Sequence, residues 1–309
     1  MQDPSPATHW GAEALWEQLV PLLPGLSVEV VHRLHSTNTT LLERARATVD
    51  TRTDGDAVLV RRSVESGAFG RRAVDLQPCL LVAEHQSAGR GRQGRLWQSA
   101  PGASLTFSLG LPLAATDWSG LSLAVGVALC EALAPADASL ARSGPQIGLK
   151  WPNDLWLMDG PVHSAAGGRK LGGILIETVA AGGVANSKRL VIIGIGLNVR
   201  PFDAAEARTG FASLAELDPA ATAPAVLAKI ALPLVQALRR FEHEGFAAFA
   251  DRFAQRDLLR GRTVRTTLPD VPEGVARGVS PQGALLVQSA AGIASVASGE
   301  VSVRLAADA

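Results

Sequence analysis

The feature that most constrains this 309-residue chain is a loop of alternating arginines and glycines set between two apolar segments. The loop reads Glu84-His85-Gln86-Ser87-Ala88-Gly89-Arg90-Gly91-Arg92-Gln93-Gly94-Arg95-Leu96-Trp97. Before it, Cys79-Leu80-Leu81-Val82-Ala83 is a continuous apolar run of strand length. After it, Pro101-Gly102 breaks the chain, and residues 103–109 then alternate with the period of a strand. Residues 89–94 satisfy the dinucleotide pattern G-x-G-x-x-G, but that pattern works only where the glycines open a helix whose N-terminus meets the pyrophosphate. Here a second strand follows, so a dinucleotide oxidoreductase is excluded. The chemistry of the loop is still that of an anion site. Glycine lets backbone N–H groups approach a ligand closely. Arginine offers a rigid, permanently charged fork for phosphate or carboxylate oxygens. Trp97 adds a flat surface on which a purine could stack. The loop is built to close over a small anion such as a nucleotide phosphate.

Three further segments point the same way. In Leu34-His35-Ser36-Thr37-Asn38-Thr39-Thr40-Leu41-Leu42-Glu43 a strand ends at a polar cluster and opens a helix, with Thr40 and Glu43 at capping-box spacing. Residues 148–156 place Lys150-Trp151-Pro152-Asn153-Asp154 after a short apolar strand, and Gly168-Arg169-Lys170-Leu171-Gly172-Gly173 leads directly into another. Residues 191–199 read as a buried strand interrupted by Gly194 and Gly196 and ending at Asn198.

Together and in this order, the Ser-Thr-Asn cluster, Gly-Arg-Gly-Arg-x-Gly-Arg, Lys-Trp-Pro-Asn-Asp, Arg-Lys-Leu-x-Gly-Ile-Leu and Gly-x-Gly-x-Asn resemble the biotin protein ligases. The resemblance runs from Val28 to the C-terminus. It implies an α+β fold: a mixed sheet flanked by helices, of the class II synthetase-like biotin/lipoate ligase type, with a small C-terminal SH3-like β-barrel. The implied division is an N-terminal extension over residues 1–27, a catalytic domain over 28–258 and the barrel domain over 259–309.

The implied reaction has two steps. The carboxylate of biotin attacks the α-phosphorus of ATP, accompanied by Mg²⁺, giving biotinyl-5′-AMP and pyrophosphate. A lysine of biotin carboxyl carrier protein, in acetyl-CoA carboxylase or a related carboxylase, then takes the biotinyl group. By motif match, Ser36, Thr37, Asn38 and Gln86 meet the ureido ring of biotin, Arg90 closes the ring side, and Gly91, Arg92, Lys170 and Gly173 complete the biotin set. Arg92, Arg95, Trp97, Asn153, Lys170 and Asn198 are assigned to ATP and the adenylate. Lys170 and Arg92 supply charge at the reacting phosphate. Asp154 orients or deprotonates the incoming ammonium, or else only caps its own turn. Asn38 has the alternative of a local cap, Trp97 that of core packing, and Lys170 that of an ion-paired strand-edge lysine. No metal ligand is assigned. A lipoate or octanoate ligase of the same fold is the rival enzyme. A non-enzymatic biotin-responsive repressor is disfavoured, because fewer than thirty residues precede the first core strand, too few for a DNA-binding helical domain.

Composition fits this reading. The 29 basic residues balance 29 acidic ones, so no overall positive field draws in DNA. Cys79 and Cys130 sit in apolar surroundings without metal-ligand spacing, which together with the lack of a signal peptide or membrane-length apolar run suits a reducing cytoplasm. A homodimer is compatible with the sequence. Residues 7–23 read as an amphipathic helix ended by Pro24-Gly25, and 121–133 and 223–242 as helices packed on the sheet, with Pro233 a possible kink in the last. Residues 246–253 continue as a helix; 263–265, 275–279, 284–288 and 301–305 read as the short strands of the barrel. Residues 51–78 and 160–168 read as insertions, the second a flap preceding Lys170.

Overall fold

The computed structural model describes residues 8–53, 77–133, 144–162, 167–180, 189–202, 210–297 and 303–305. Most of the first expected insertion, residues 54–76, and part of the second, residues 163–166, lie outside them. In chain order the main elements are α1 (Ala12–Leu19), β1 (Ser27–Leu34), α2 (Thr37–Thr53), β2 (Cys79–Gln86), β3 (Gly89–Arg90), β4 (Leu96–Trp97), β5 (Ser104–Leu113) and α3 (Leu121–Leu133). Then come β6 (Gln146–Lys150), β7 (Asp154–Met158), β8 (Gly168–Ala180), β9 (Arg189–Asn198), α4 (Ala223–Glu244) and α5 (Ala250–Ala254). The last segment contributes β10 (Thr263–Thr266), β11 (Glu273–Val279), β12 (Leu285–Ser289), β13 (Gly292–Val296) and β14 (Val303–Leu305).

Seven strands form the central sheet in the order β1-β2-β5-β9-β8-β7-β6. It is mixed: β1 and β2 run parallel, and each remaining neighbour pair is antiparallel. One face carries the main core, where Leu105, Phe107, Leu109 and Leu111 of β5 meet the apolar side chains of α1, α3 and α4. On the opposite face α2 covers only part of the sheet, packing Leu41, Leu42 and Ala45 on Cys79, Leu81 and Ala83 of β2 and on Leu190 and Ile192 of β9. This explains the unbroken apolar run of β2, which is buried on both faces. The same-side residues farther along β5 and β9 are small or polar: Thr106, Ser108, Gly194 and Gly196. Beside α2 the sheet therefore opens into a cleft.

Local chemistry sets the element ends. Helix α2 begins at Thr37, and the Ser36 hydroxyl caps it by accepting the Thr39 N–H at 3.4 Å. The Thr40–Glu43 spacing is thus not the cap, because the turn has already started three residues earlier. Helix α1 is shorter than the expected 7–23, starting at Ala12 after Gly11 in a left-handed conformation. Helix α3 has the expected bounds, and α4 runs through Pro233 to Gly245. Residues 246–249 form a 3₁₀ turn before α5, so the expected single helix there is split.

The C-terminal segment is a five-stranded antiparallel sheet in the order β13-β12-β11-β10-β14. Of the expected SH3-like barrel it shows the antiparallel sheet, with β13 and β14 as edges and no pairing between them among the described residues. It also contains a strand the sequence reading lacked, β13, in which only Ile293 and Val296 of Gly-Ile-Ala-Ser-Val favour a strand. Pairing with β12 across a two-residue connection makes it a strand. This sheet docks on the central one. The Trp151 indole, 1% exposed, donates to the Gly283 carbonyl at 3.0 Å.

Candidate active site

The cleft has a volume of about 1380 Å³ and takes residues from α2, the Arg/Gly loop, β6 to β9 and β14. One wall is the β6–β7–β8 hairpin system. In the β6–β7 register Lys150 lies opposite Asp154. On the other side of β7, Asp154 pairs with Gly173 but Trp156 pairs with Lys170, so β8 has one extra residue between them. Asp154 and Trp156 point to one face, being two residues apart, and this bulge turns both Lys170 and Gly173 to that same face. Lys170 Nζ consequently reaches Asp154 Oδ1 at 2.8 Å, with the two side chains 28% and 24% exposed. The ammonium also stands 5.8 Å from the centre of the Trp97 ring. The carboxylate is engaged by Lys170, and among the described residues no hydrogen bond from it caps its own turn. Asn153 bridges the turn, donating to the Ile174 carbonyl at 2.7 Å and accepting from Arg92 at 3.4 Å.

The opposite wall is a buried polar cluster at the start of α2. Ser36, Thr37 and Asn38 are each 3% exposed, and Gln86 is 8% exposed. Gln86 Oε1 accepts the Thr37 N–H at 2.7 Å, so a side chain of β2 satisfies a backbone donor in the first turn of α2. Asn38 is not a local cap. Its Nδ2 donates to the Glu177 carboxylate at 2.9 Å and to the Leu175 carbonyl at 3.3 Å, both on β8. Ser108 Oγ of β5 lies 2.6 Å from Asn38 Oδ1 and 2.6 Å from Thr37 Oγ1. The two floor glycines leave room for these groups. A Cβ at Gly194 would overlap the Asn38 amide, and one at Gly196 would overlap the Trp97 indole.

The Arg/Gly loop folds back as a small hairpin in which Gly89 pairs with Trp97 and Arg90 with Leu96. The Gly91 N–H closes it onto the Arg95 carbonyl at 2.7 Å. Its tip needs Gly94 at φ 69° and holds Gln93 at φ 56°. Arg90 pairs with Glu177 at 3.1 Å. Burial pulls the Arg92 guanidinium below its ordinary pKa; Asp154 opposes that pull and neighbouring Arg95 adds to it. A cation so placed gains from an anionic ligand that replaces lost water. Arg95 is exposed and reaches Gln93 at 3.3 Å. Trp97 lies flat against Gly196, and its buried indole N–H has no partner among the described residues.

All residues chosen from sequence line this one cleft, from Ser36 to Asn198. Asn198 is a special case. Its Nδ2 donates to the Lys170 carbonyl at 3.2 Å and the Ala212 carbonyl at 3.0 Å, tying the Lys170 strand to the segment at 210–212. Sequence reading passed over Ser108, Glu177, Lys150 and Arg304. Lys150 is 8% exposed with its ammonium 4.2 Å from the Trp156 ring centre, and Arg304 enters the cleft from β14. Lys150 stood inside a recognised motif without a role, and Glu177 two residues beyond one; Ser108 gave no signal beyond being polar on an apolar strand. Among the described residues no group of three or more His, Cys, Asp or Glu side chains could hold a metal by itself.

A mixed sheet with a half-covered face, a cationic Gly-rich loop and a buried amide–hydroxyl cluster define a small-molecule ligase cleft. The model of the Biotin/lipoate A/B protein ligase family matches residues 76–198, and that of the biotin protein ligase C-terminal domain matches 261–304. The chain is 31% identical over 298 residues to the biotin–[acetyl-CoA-carboxylase] ligase of Mycobacterium tuberculosis, an alignment spanning 94% of this chain and 91% of that protein. It is 35% identical over 233 residues to the bifunctional ligase/repressor BirA of Salmonella typhimurium, covering 73% of this chain and 66% of that protein's length. The biotin protein ligase of Aquifex aeolicus, solved in complex with biotin and ATP, superposes with a TM-score of 0.63 at 25% identity, over 90% of this chain and 99% of that one. The chain belongs to the biotin protein ligase family.

Proposed function

We propose that this protein is an ATP-dependent biotin protein ligase that forms biotinyl-5′-AMP and transfers biotin to a lysine of biotin carboxyl carrier protein. The observation that carries this reading is the single cleft joining two unlike surfaces. One is the fixed neutral polar cluster of Ser36, Thr37, Asn38 and Gln86; the other is the cationic set of Arg92, Lys170 and the loop. The ureido ring of biotin is neutral and polar, and its carboxylate must meet a triphosphate. In the first step two anions are brought together, so Lys170 leaves Asp154 for the α-phosphate and carboxylate, and Arg92 clasps the phosphate from the loop. Gly173 keeps the wall beside Lys170 low, and Gly91 lets the loop backbone come close. Trp97, held on Gly196, presents its other face to adenine, while Asn153 and Asn198 fix the elements around the nucleotide. Arg95 lies at the exposed rim, and Arg90 closes the biotin side.

The donor set suits Mg²⁺ that arrives on ATP, since Mg²⁺ commonly binds through one or two carboxylates plus phosphate oxygens. Asp154 is the carboxylate beside Lys170, and the ion supplies neutralisation of phosphate charge. In the second step Asp154, freed from Lys170, orients the carrier lysine and takes its proton.

The catalytic unit in this reading is 28–258, with 1–27 an extension and 259–309 a C-terminal unit that contributes Arg304. The balanced charge gives no reason to add DNA to the partners. A second copy of the chain is a compatible partner, because among the described residues no strand pairs with the outer edge of β8 beyond Ile174. No helix among the described residues is long and apolar enough to cross a membrane. The buried Cys79 and Cys130, which form no disulfide among the described residues, suit a reducing cytoplasm. Biotin-dependent exchange of labelled pyrophosphate into ATP tests the first step. Exchange with biotin and little with lipoate or octanoate is the expected outcome; the reverse preference would give the site to the sister ligases.

A further inference from the structure

Glu177 is used by neither step above, yet it is where three parts of the cleft meet. Its Oε1 holds Arg90 of the loop at 3.1 Å and its Oε2 takes the Asn38 amide at 2.9 Å, from a position on the strand that carries Lys170. We propose that Glu177 is the positioning residue that sets the hydrogen-bond polarity of the ureido pocket, and so fixes its preference for a ring that donates N–H. The inference rests on the biotin reading of the cleft.

The argument follows protons along a buried chain. Paired with a permanently charged arginine, Glu177 is a carboxylate and only accepts. Asn38 must therefore turn its Nδ2 toward β8, where the Leu175 carbonyl is a second acceptor. That leaves Asn38 Oδ1, which only accepts, facing Ser108 Oγ at 2.6 Å. A hydroxyl carries one proton, so the Ser108 proton is committed to Asn38. Thr37 Oγ1 lies 2.6 Å from Ser108 Oγ and 3.2 Å from Gln86 Oε1, and its one proton goes to the shorter contact, which the committed Ser108 proton cannot fill. At the end of the chain Thr37 Oγ1 has lone pairs left and no proton to offer. The backbone N–H of Thr37 meanwhile occupies Gln86 Oε1, so the Gln86 amide nitrogen, not its oxygen, lies beside Gly89 of the loop. A ligand thus meets a hydroxyl acceptor from α2 and an amide donor from Gln86. That is the complement of a cyclic urea, which has N–H groups and one carbonyl. A ring oxygen in place of the N–H would face the Thr37 lone pairs. Reversing the polarity requires a group at 177 that can donate.

The test compares biotin with its cyclic carbamate analogue, in which one ring N–H is replaced by oxygen, by calorimetric titration against wild-type protein, Glu177→Gln and Ser108→Ala. Wild type should prefer biotin by ten- to a hundredfold, the scale of one buried unsatisfied contact. A glutamine at 177 can donate, and an alanine at 108 releases the Thr37 proton from its short contact, leaving the longer 3.2 Å contact with Gln86 Oε1 as its only protein rival to a ligand acceptor, so each variant should narrow that ratio about tenfold. Because both act through one chain, the double variant should narrow it no further. Equal weakening of both ligands with the ratio unchanged would make Glu177 a merely structural anchor and overturn the inference. Should Glu177→Gln not fold, an unchanged ratio in Ser108→Ala alone overturns it as well. Failure of wild-type protein to bind biotin would instead strike the functional reading beneath it.

Discussion

Gly194 gives the sharpest test of the floor of the proposed biotin pocket. It lies in an ordinary strand conformation, so Gly194→Ala introduces no backbone strain in the fold and acts there through sterics. The new Cβ would sit 2.8 Å from Asn38 Cγ and 3.1 Å from Asn38 Nδ2, and nearer still to Oδ1. Carbon contacts settle at ~3.5–4.0 Å, so the amide must withdraw by roughly 1 Å. That distance breaks its 2.6 Å contact with Ser108 and its 2.9 Å bond to Glu177. Overpacking alone costs about 1–3 kcal/mol, and each lost bond adds ~0.5–1.5 kcal/mol, more for the charged acceptor. Part of this falls on stability and part on the ligand. Biotin affinity should drop at least ~10-fold, about 1.4 kcal/mol, with ATP affinity nearly unchanged. Calorimetric titration of each ligand, with thermal unfolding of the same sample, separates the two. Gly173→Ala is the stability control, since a Cβ there meets nothing closer than 3.6 Å. A folded Gly194→Ala protein binding biotin within twofold of wild type would refute the assignment of Asn38 and its partners to the pocket.

Lys170→Ala removes charge at the reacting phosphate without opening the core, so biotin-dependent pyrophosphate exchange should fall by ~10²–10³ with the unfolding temperature little changed. Wild-type exchange rates would remove Lys170 from the chemistry. Arg92→Gly deletes the clasp on the adenylate and loosens the loop, so preformed biotinyl-AMP should dissociate faster and label bystander lysines; tight retention would show that another group closes the site. Burial pushes the Cys130 thiol up to about 12, with Arg256 opposing and Glu131 reinforcing it. The unfolded thiol ionises near 9.0, so Cys130 favours the folded state fully below that pH and loses its contribution between pH 9.0 and about 12. Ellman's reagent should therefore reach it at pH 8 only after denaturation, and rapid reaction in the native protein would contradict its burial.

Sequence periodicity located the elements that are simple in one dimension. The apolar run of β2, the alternation of β5 and the exact span of α3 were readable because each depends on its own residues and a single packed face. The Arg/Gly loop was readable as a connection between strands, not a helix-opening fingerprint, because both flanking segments carry strand patterns. What escaped depends on partners distant in sequence. Strand β13 is only five residues long and is completed by its pairing with β12, and the open edges beside β14 depend on pairing that no local pattern encodes. The approach of Lys170 to Asp154 follows from a bulge, and a one-residue shift in register has no signature in composition. Ser108 and Glu177 gain meaning only because β5 and β8 flank Gly194 and bring both to Asn38. The motifs thus identified the cleft and its main groups, while their polarity and pairing became visible only in three dimensions.

The central claim is that one cleft both makes biotinyl-AMP and delivers it to a carrier. The most direct measurement is incorporation of labelled biotin into a purified biotin carboxyl carrier domain, with ATP and Mg²⁺ present or absent. The account predicts stoichiometric labelling of a single carrier lysine that requires ATP, releases one pyrophosphate per biotin, and is lost in Lys170→Ala. Biotin binding with no ATP-dependent transfer to the carrier, or transfer of lipoate in its place, would contradict it.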